Sequence, residues 1–190
     1  VKIVEILQNK EEKSVVRAAA AISIGDLNYK DGIKPLIDAL KDKDWTVRSS
    51  AVVALGNLKA SEAVEPMKDI LKRDIYYLVR MSVIDALGKI NGAAAINTLL
   101  SEGLNDDNPA VRKAVVEEFG KKIADSKIVV IPLCRLLKDP DMSVRIATAN
   151  TLGVLKDKKA YGPLQEALEV KNENIQVQQA IRGALMNISD

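Results

Sequence analysis

The sequence predicts an all-α fold, an α-solenoid of about six stacked helical hairpins with the first incomplete, and three observations predict it. Apolar residues make up 47% of the 190-residue chain but aromatics only 3%, so Ala, Val, Ile and Leu must build the core, as suits closely packed helices. A Val-Arg pair recurs at Val16-Arg17, Val47-Arg48, Val79-Arg80, Val111-Arg112 and Val144-Arg145, then degenerates to Val177-Gln178. Successive arginines lie 31, 32, 32 and 33 residues apart, and each is followed eight residues later by a glycine: Gly25, Gly56, Gly88, Gly120 and Gly153. Five matches at one offset mark an internal repeat, with units at approximately 1–28, 29–59, 60–91, 92–125, 126–157 and 158–190 of a single domain.

The Val-Arg segment is the second helix of each hairpin, helix B. Apolar or small residues fall at 0, 3, 4, 7, 8 and 11 from the valine, as in Val47, Ser50, Ala51, Ala54, Leu55 and Leu58, which is one face of an α-helix. The first B helix is expected over Ser14 to Leu27. Asp44, Asn108, Asp141 and Asn174 stand where an N-cap is needed, and Pro109 follows Asn108 at the position where a missing amide costs least. The third B helix is entered through Ile75-Tyr76-Tyr77-Leu78 without a capping acid. A glycine within a helix costs roughly 1 kcal/mol relative to Ala, and the return expected here is close approach of a neighbouring helix.

Helix A precedes each B helix: IKPLIDAL at 33–40, VEPMKDIL at 64–71, the proline-free AINTLLSEGL from Ala95, VIPLCRLL at 130–137 and YGPLQEAL at 161–168. Pro35, Pro66, Pro132 and Pro163 are expected in the first turns of these helices, where no backbone hydrogen bond is lost. The first unit carries only a stub, VKIVEILQNK. Because a solenoid end needs a polar cap, residues preceding Val1 are expected to complete it.

The pattern D-x-x-V-R-x-x-A-x-x-A-L-G with x-P-L-x-x-x-L, at 31 to 33 residues per unit, resembles the short HEAT-like repeat of the phycobilisome-lyase type over nearly the whole chain. Proteins with such repeats include chromophore lyases, an iron hydroxylase, related α-solenoid DNA-repair glycosylases and many scaffolds, so the resemblance implies a fold rather than an activity. Gln178 and Met186 replace Arg and Gly in the last unit.

The chain contains no histidine, which removes Ser-His-Asp and Cys-His catalysis, His-based metal sites and the His-Glu pairs on which the HEAT-like iron hydroxylase relies. No catalytic residue, cofactor or metal ligand is expected. The single cysteine, Cys134, lies among leucines of a helix A and reads as a structural thiol. The acid pairs Asp42/Asp44, Asp106/Asp107 and Asp139/Asp141 lack the glycine and terminal glutamate of a calcium loop and read as caps and solvated turns. No targeting signal is visible and the longest apolar runs, such as IVVIPL at 128–133, are too short to span a bilayer, so a cytoplasmic protein without membrane contact is expected.

Arg17, Arg48, Arg80, Arg112 and Arg145 form a ladder, one per unit, read as structural: each pairs with a carboxylate or carbonyl at its own or the next inter-helix turn. The alternative is a cationic track for phosphate or an acidic peptide. In the resembled fold the B helices line the concave side, where positions 2, 6 and 10 after the valine point. These give an apolar stripe, Ile22, Val53 and Met81, a mixed-charge centre, Asp85, Lys89, Lys113, Glu117 and Lys121, and then Ile146 and Asn150. An apolar stripe beside charges suits a protein or peptide partner, so a non-enzymatic protein-binding scaffold is expected. Nucleic-acid binding through the lysine-bearing groove is the alternative; it is disfavoured by a net charge of only +2 and by the acids among the lysines. A bilin-lyase-like chromophore-binding role rests on the resemblance alone.

Overall fold

The computed structural model describes residues 2–121, 125–171 and 173–189, and every regular element in them is helical. The helices are α1 (Lys2–Gln8), α2 (Ser14–Asp26), α3 (Ile33–Ala39), α4 (Trp45–Asn57), α5 (Val64–Arg73), α6 (Tyr77–Ile90), α7 (Ala93–Ser101), α8 (Pro109–Gly120), α9 (Ser126–Arg135), α10 (Met142–Leu155), α11 (Tyr161–Leu168) and α12 (Ile175–Ser189). Even-numbered helices are the B helices and odd-numbered ones the A helices, and the fold is an α-solenoid. None of the described helices is long and apolar enough to cross a membrane.

The chain divides into two compact units, Val1–Gly103 and Leu104–Asp190. In the first, α2, α4 and α6 stack side by side through the most extensive contacts in the unit. A Cβ at Gly56 would lie 2.7 Å from the Cα of Ala86 on the next B helix, and one at Gly25 would lie 2.8 Å from that of Ala54. The glycine thus lets a neighbouring backbone come closer than any side chain permits. The A helices on the other side are spaced more loosely: α1 touches α3 and α5 touches α7, but α3 and α5 scarcely meet.

In the second unit α8, α10 and α12 form the same tight layer. A Cβ at Gly153 would lie 2.9 Å from the Cα of Ala184, whereas one at Gly120 would meet the side chain of Thr151, whose hydroxyl donates to the Val116 carbonyl at 3.2 Å. The hydroxyl is satisfied across the helix pair, so the polar substitution leaves no orphaned donor.

The helix ends follow from local chemistry. Asp44, Asn108 and Asp141 cap α4, α8 and α10 by accepting from amides of the first turn, and Asn174 accepts from Gln176 at 2.8 Å. B helices α2, α4, α6 and α10 end on a residue with positive φ: Asn28, Lys59, Asn91 and Lys156. At the first two the closing bonds are those of a Schellman turn, with Lys59 donating to Gly56 and Ala60 to Leu55.

One expectation fails. Pro35, Pro66 and Pro163 are each the third residue of their helix, but Pro132 sits inside α9. Asp125 caps the amide of Lys127 and starts that helix earlier than the proline marks, so Pro132 interrupts a helix already under way. In the first repeat, Val16 is 38% exposed and Leu27 71%, although Val47, Val79, Val111, Val144 and Val177 are fully buried.

Candidate functional site

The B-helix layer positions the residues singled out by sequence. In the first unit Ile22 of α2 is 44% exposed, while Val53 of α4 and Met81 of α6 are half-buried between adjacent helices. One turn before Val53, the Ser49 and Ser82 hydroxyls meet at 2.9 Å and join α4 to α6. Asp85 and Lys89 are exposed and pair with each other at 2.8 Å, and Lys89 also donates to Asn57. Apolar surface on this face therefore centres on Ile22, with the exposed Asp26, unpaired among the described residues, one turn on along α2 and the neutralised Asp85–Lys89 pair on α6.

In the second unit Lys113 pairs with Glu117 at 3.5 Å along α8, and Lys121 pairs with the buried Glu118. Ile146 is half-buried and Asn150 exposed on α10. Pairs one helical turn apart are worth only a few tenths of a kcal/mol, but they spend the positive charge that a phosphate backbone would need.

The arginines occupy the A-to-B turns. Arg48 grips Asp74 with two bonds of 2.6 and 2.9 Å, and its remaining nitrogen donates to the carbonyls of Asp42 and Lys43. Arg112 does the same with Asp139 and the carbonyls of Asp106 and Asp107, and Arg145 with Glu173 and the carbonyls of Asp139 and Pro140. Arg17 holds Asp42 at 2.9 and 3.2 Å and the Glu12 carbonyl; Arg80 donates to the Asp74 carbonyl at 2.7 Å. Gln178 keeps the turn bond, to the Glu173 carbonyl.

The acids of these turns divide into two kinds, which corrects their reading as caps and solvated groups. Asp42, Asp106 and Asp139 are buried, and the amide two residues on donates to each. Only the second acids, Asp44 and Asp141, cap the following helix. Burial alone would raise the Asp42 pKa; hydrogen bonds from Arg17, the Asp44 amide and Lys10 outweigh it and hold the carboxyl at about 2. The Arg145 guanidinium likewise lowers Glu173, and the Asp74 and Asp139 carboxylates raise Arg48 and Arg112. Asp74 and Glu173 are members of this set that sequence reasoning missed. Their signal was position alone, 26 to 28 residues after the arginine they hold.

Cys134 is half-buried on α9, and burial, with Asp157 nearby, pushes its thiol up to about 11. It stays protonated at neutral pH. Tyr76 stacks on Trp45 at 5.7 Å and lies 5.9 Å from the Arg48 guanidinium, so the turn without a capping acid is closed by aromatic packing. Among the described residues no three His, Cys, Asp or Glu side chains gather as a metal-binding group.

The profile of the family described as HEAT repeats matches residues 1–88 and 96–186. The chain belongs to the HEAT repeat family. No curated protein sequence matches it. Several solved HEAT and armadillo structures share its fold. A designed armadillo repeat protein in complex with the peptide (KR)4 is similar at 19% identity and a TM-score of 0.61, covering 98% of each chain. Human deoxyhypusine hydroxylase in complex with glycerol is similar at 18% identity and a TM-score of 0.56, over 98% of this HEAT chain and 84% of that one. The complex of CpcE and CpcF of phycocyanin lyase from Nostoc sp. PCC7120 gives 18% identity and a TM-score of 0.55, over 98% and 80%. At these identities the likeness is one of fold.

Proposed function

We propose that the protein is a non-enzymatic scaffold that binds a peptide or protein partner on the B-helix face of its first unit. The observation that carries this reading is the open apolar surface at Ile22, followed by Val53 and Met81 on the successive B helices and by the neutralised Asp85–Lys89 pair on the last of them. A partner segment laid across α2, α4 and α6 covers Ile22 and meets one side chain per repeat. Because these positions vary from repeat to repeat while the Val-Arg frame does not, side-chain identity there sets specificity. The peptide complex of the designed armadillo protein supports the use of this fold for such binding. The spacing of 31 to 33 residues supports the short, phycobilisome-lyase-like form of the repeat. A non-enzymatic role is supported by the absence of histidine from the sequence and by the protonated state of the one cysteine. The paired lysines give no support to nucleic-acid binding.

Selection of a random peptide library on the wild-type protein, followed by affinity measurement against an Ile22→Lys variant, tests the proposal. Ile22 is chosen because charge at half-buried Val53 or Met81 would cost stability as well as binding. Selected peptides are expected to lose about tenfold or more in affinity with unchanged melting of the protein. Equal affinity for both proteins across the selected set would move the site elsewhere.

A further inference from the structure

The loose layer of the first unit holds a cleft of about 590 Å³ between α3 and α5, a size typical of ligand sites. We infer that this cleft is a second binding site, for a short extended peptide with aliphatic residues at its centre, an acid at one end and a base at the other.

The chemistry follows from its walls. Ile37 and Leu40 line the α3 side and Pro66 and Ile70 the α5 side, each pair at helical spacing so that one face of each helix is presented. Ile75, 83% exposed, stands at the end where α5 leads into the turn. Aliphatic side chains of a ligand remove this surface from water at roughly 25 cal/mol per Å².

The polar lining is segregated. Arg48 binds both the Asp42 carbonyl and the Asp74 carboxylate, and so draws the neighbouring residues Lys41 and Arg73 to the same end of the cleft. Glu65 lies in the first turn of α5 and Asp69 one turn on, which at 1.5 Å per residue puts Glu65 about 12 Å from Arg73 along the axis. Among the described residues, the side chains of Lys41, Glu65, Asp69 and Arg73 form no ion pair or hydrogen bond with another group of the protein. In the smaller cleft between α1 and α3, by contrast, Lys10 is already paired with Asp42. Unspent cations at one end and the unspent Glu65 carboxylate at the other, with Asp69 midway, match a ligand of opposite polarity, and an extended span of about 12 Å corresponds to about four residues.

The test is fluorescence anisotropy with a dye-labelled, end-blocked peptide Lys-Leu-Ile-Leu-Glu and its uncharged counterpart Gln-Leu-Ile-Leu-Gln. The charged peptide is expected to bind the wild type about tenfold more tightly than the neutral one. A K41E/R73E variant should abolish that preference and keep the wild-type melting temperature, because both side chains are free at the surface. The Ile22→Lys variant should bind the charged peptide as the wild type does, which separates this site from the B-helix face. Equal affinity of wild type and K41E/R73E for the charged peptide, or no binding at about 1 mM, would overturn the assignment. Loss of binding in Ile22→Lys alone would place the peptide on the B-helix face instead.

Discussion

The two helical layers of the first unit are built on opposite terms. The B layer is fixed by backbone contact, with Gly25 against Ala54 and Gly56 against Ala86, and by arginines that tie each A-to-B turn to the next. The A layer has neither device, and α3 and α5 stand apart with a cleft between them. Invariance in the repeat therefore marks what holds the stack together, and surface available to a partner lies where the pattern is relaxed: six residues after the valine of the B helices and in the gap of the A layer.

The largest effect that would sharpen this comparison is expected from Arg48→Ala. It leaves the buried Asp74 carboxylate without its partner and costs about 3 kcal/mol in urea unfolding. Should the variant unfold like the wild type, the arginines would be free for a ligand instead.

A somewhat smaller effect is expected from acid. Because the Asp42 carboxyl is held at about 2, below its ordinary 3.8, it contributes stability above pH 3.8 that is lost as pH falls through 2. The shift amounts to ~2 kcal/mol. Unfolding followed between pH 5 and 2 should show this loss in the wild type and not in Asp42→Asn, which starts from lower stability. Parallel curves would break the link between the turn and the stack.

The smallest effect belongs to the surface pairs. Lys89→Ala removes the exposed contact with Asp85 and should change stability by less than about 0.5 kcal/mol. A loss as large as that of Arg48→Ala would mean that the variable face is structural as well.

How much of this was legible in the sequence depends on whether a feature is local or relational. The Val-Arg period, the caps at Asp44, Asn108 and Asp141 and the buried valines are properties of a single helix, and the repeat displays them directly. The place of Pro132 was misread because Asp125, upstream of it, starts α9 first. Ile22 and Val53 share a register six residues after the repeat valine, and Met81 lies one turn earlier on its own helix, but their unequal exposure depends on how closely the neighbouring helices pack, which the spacing does not encode. The cleft was missed for the same reason. Its one visible trace is a proline followed three residues later by an acid, at Pro35/Asp38, Pro66/Asp69 and Pro163/Glu166, each pair lining a gap between A helices.

The measurement that tests the contrast between layers most directly is the unfolding free energy of Gly56→Ala beside Gly162→Ala. A Cβ at Gly56 meets Ala86 at 2.7 and 2.8 Å, whereas one at Gly162, in the A helix α11, meets nothing within 4 Å. The account predicts a loss of about 2 kcal/mol for the first, from forced separation of α4 and α6, and no loss or a gain of a few tenths for the second. Equal changes in the two variants would contradict it.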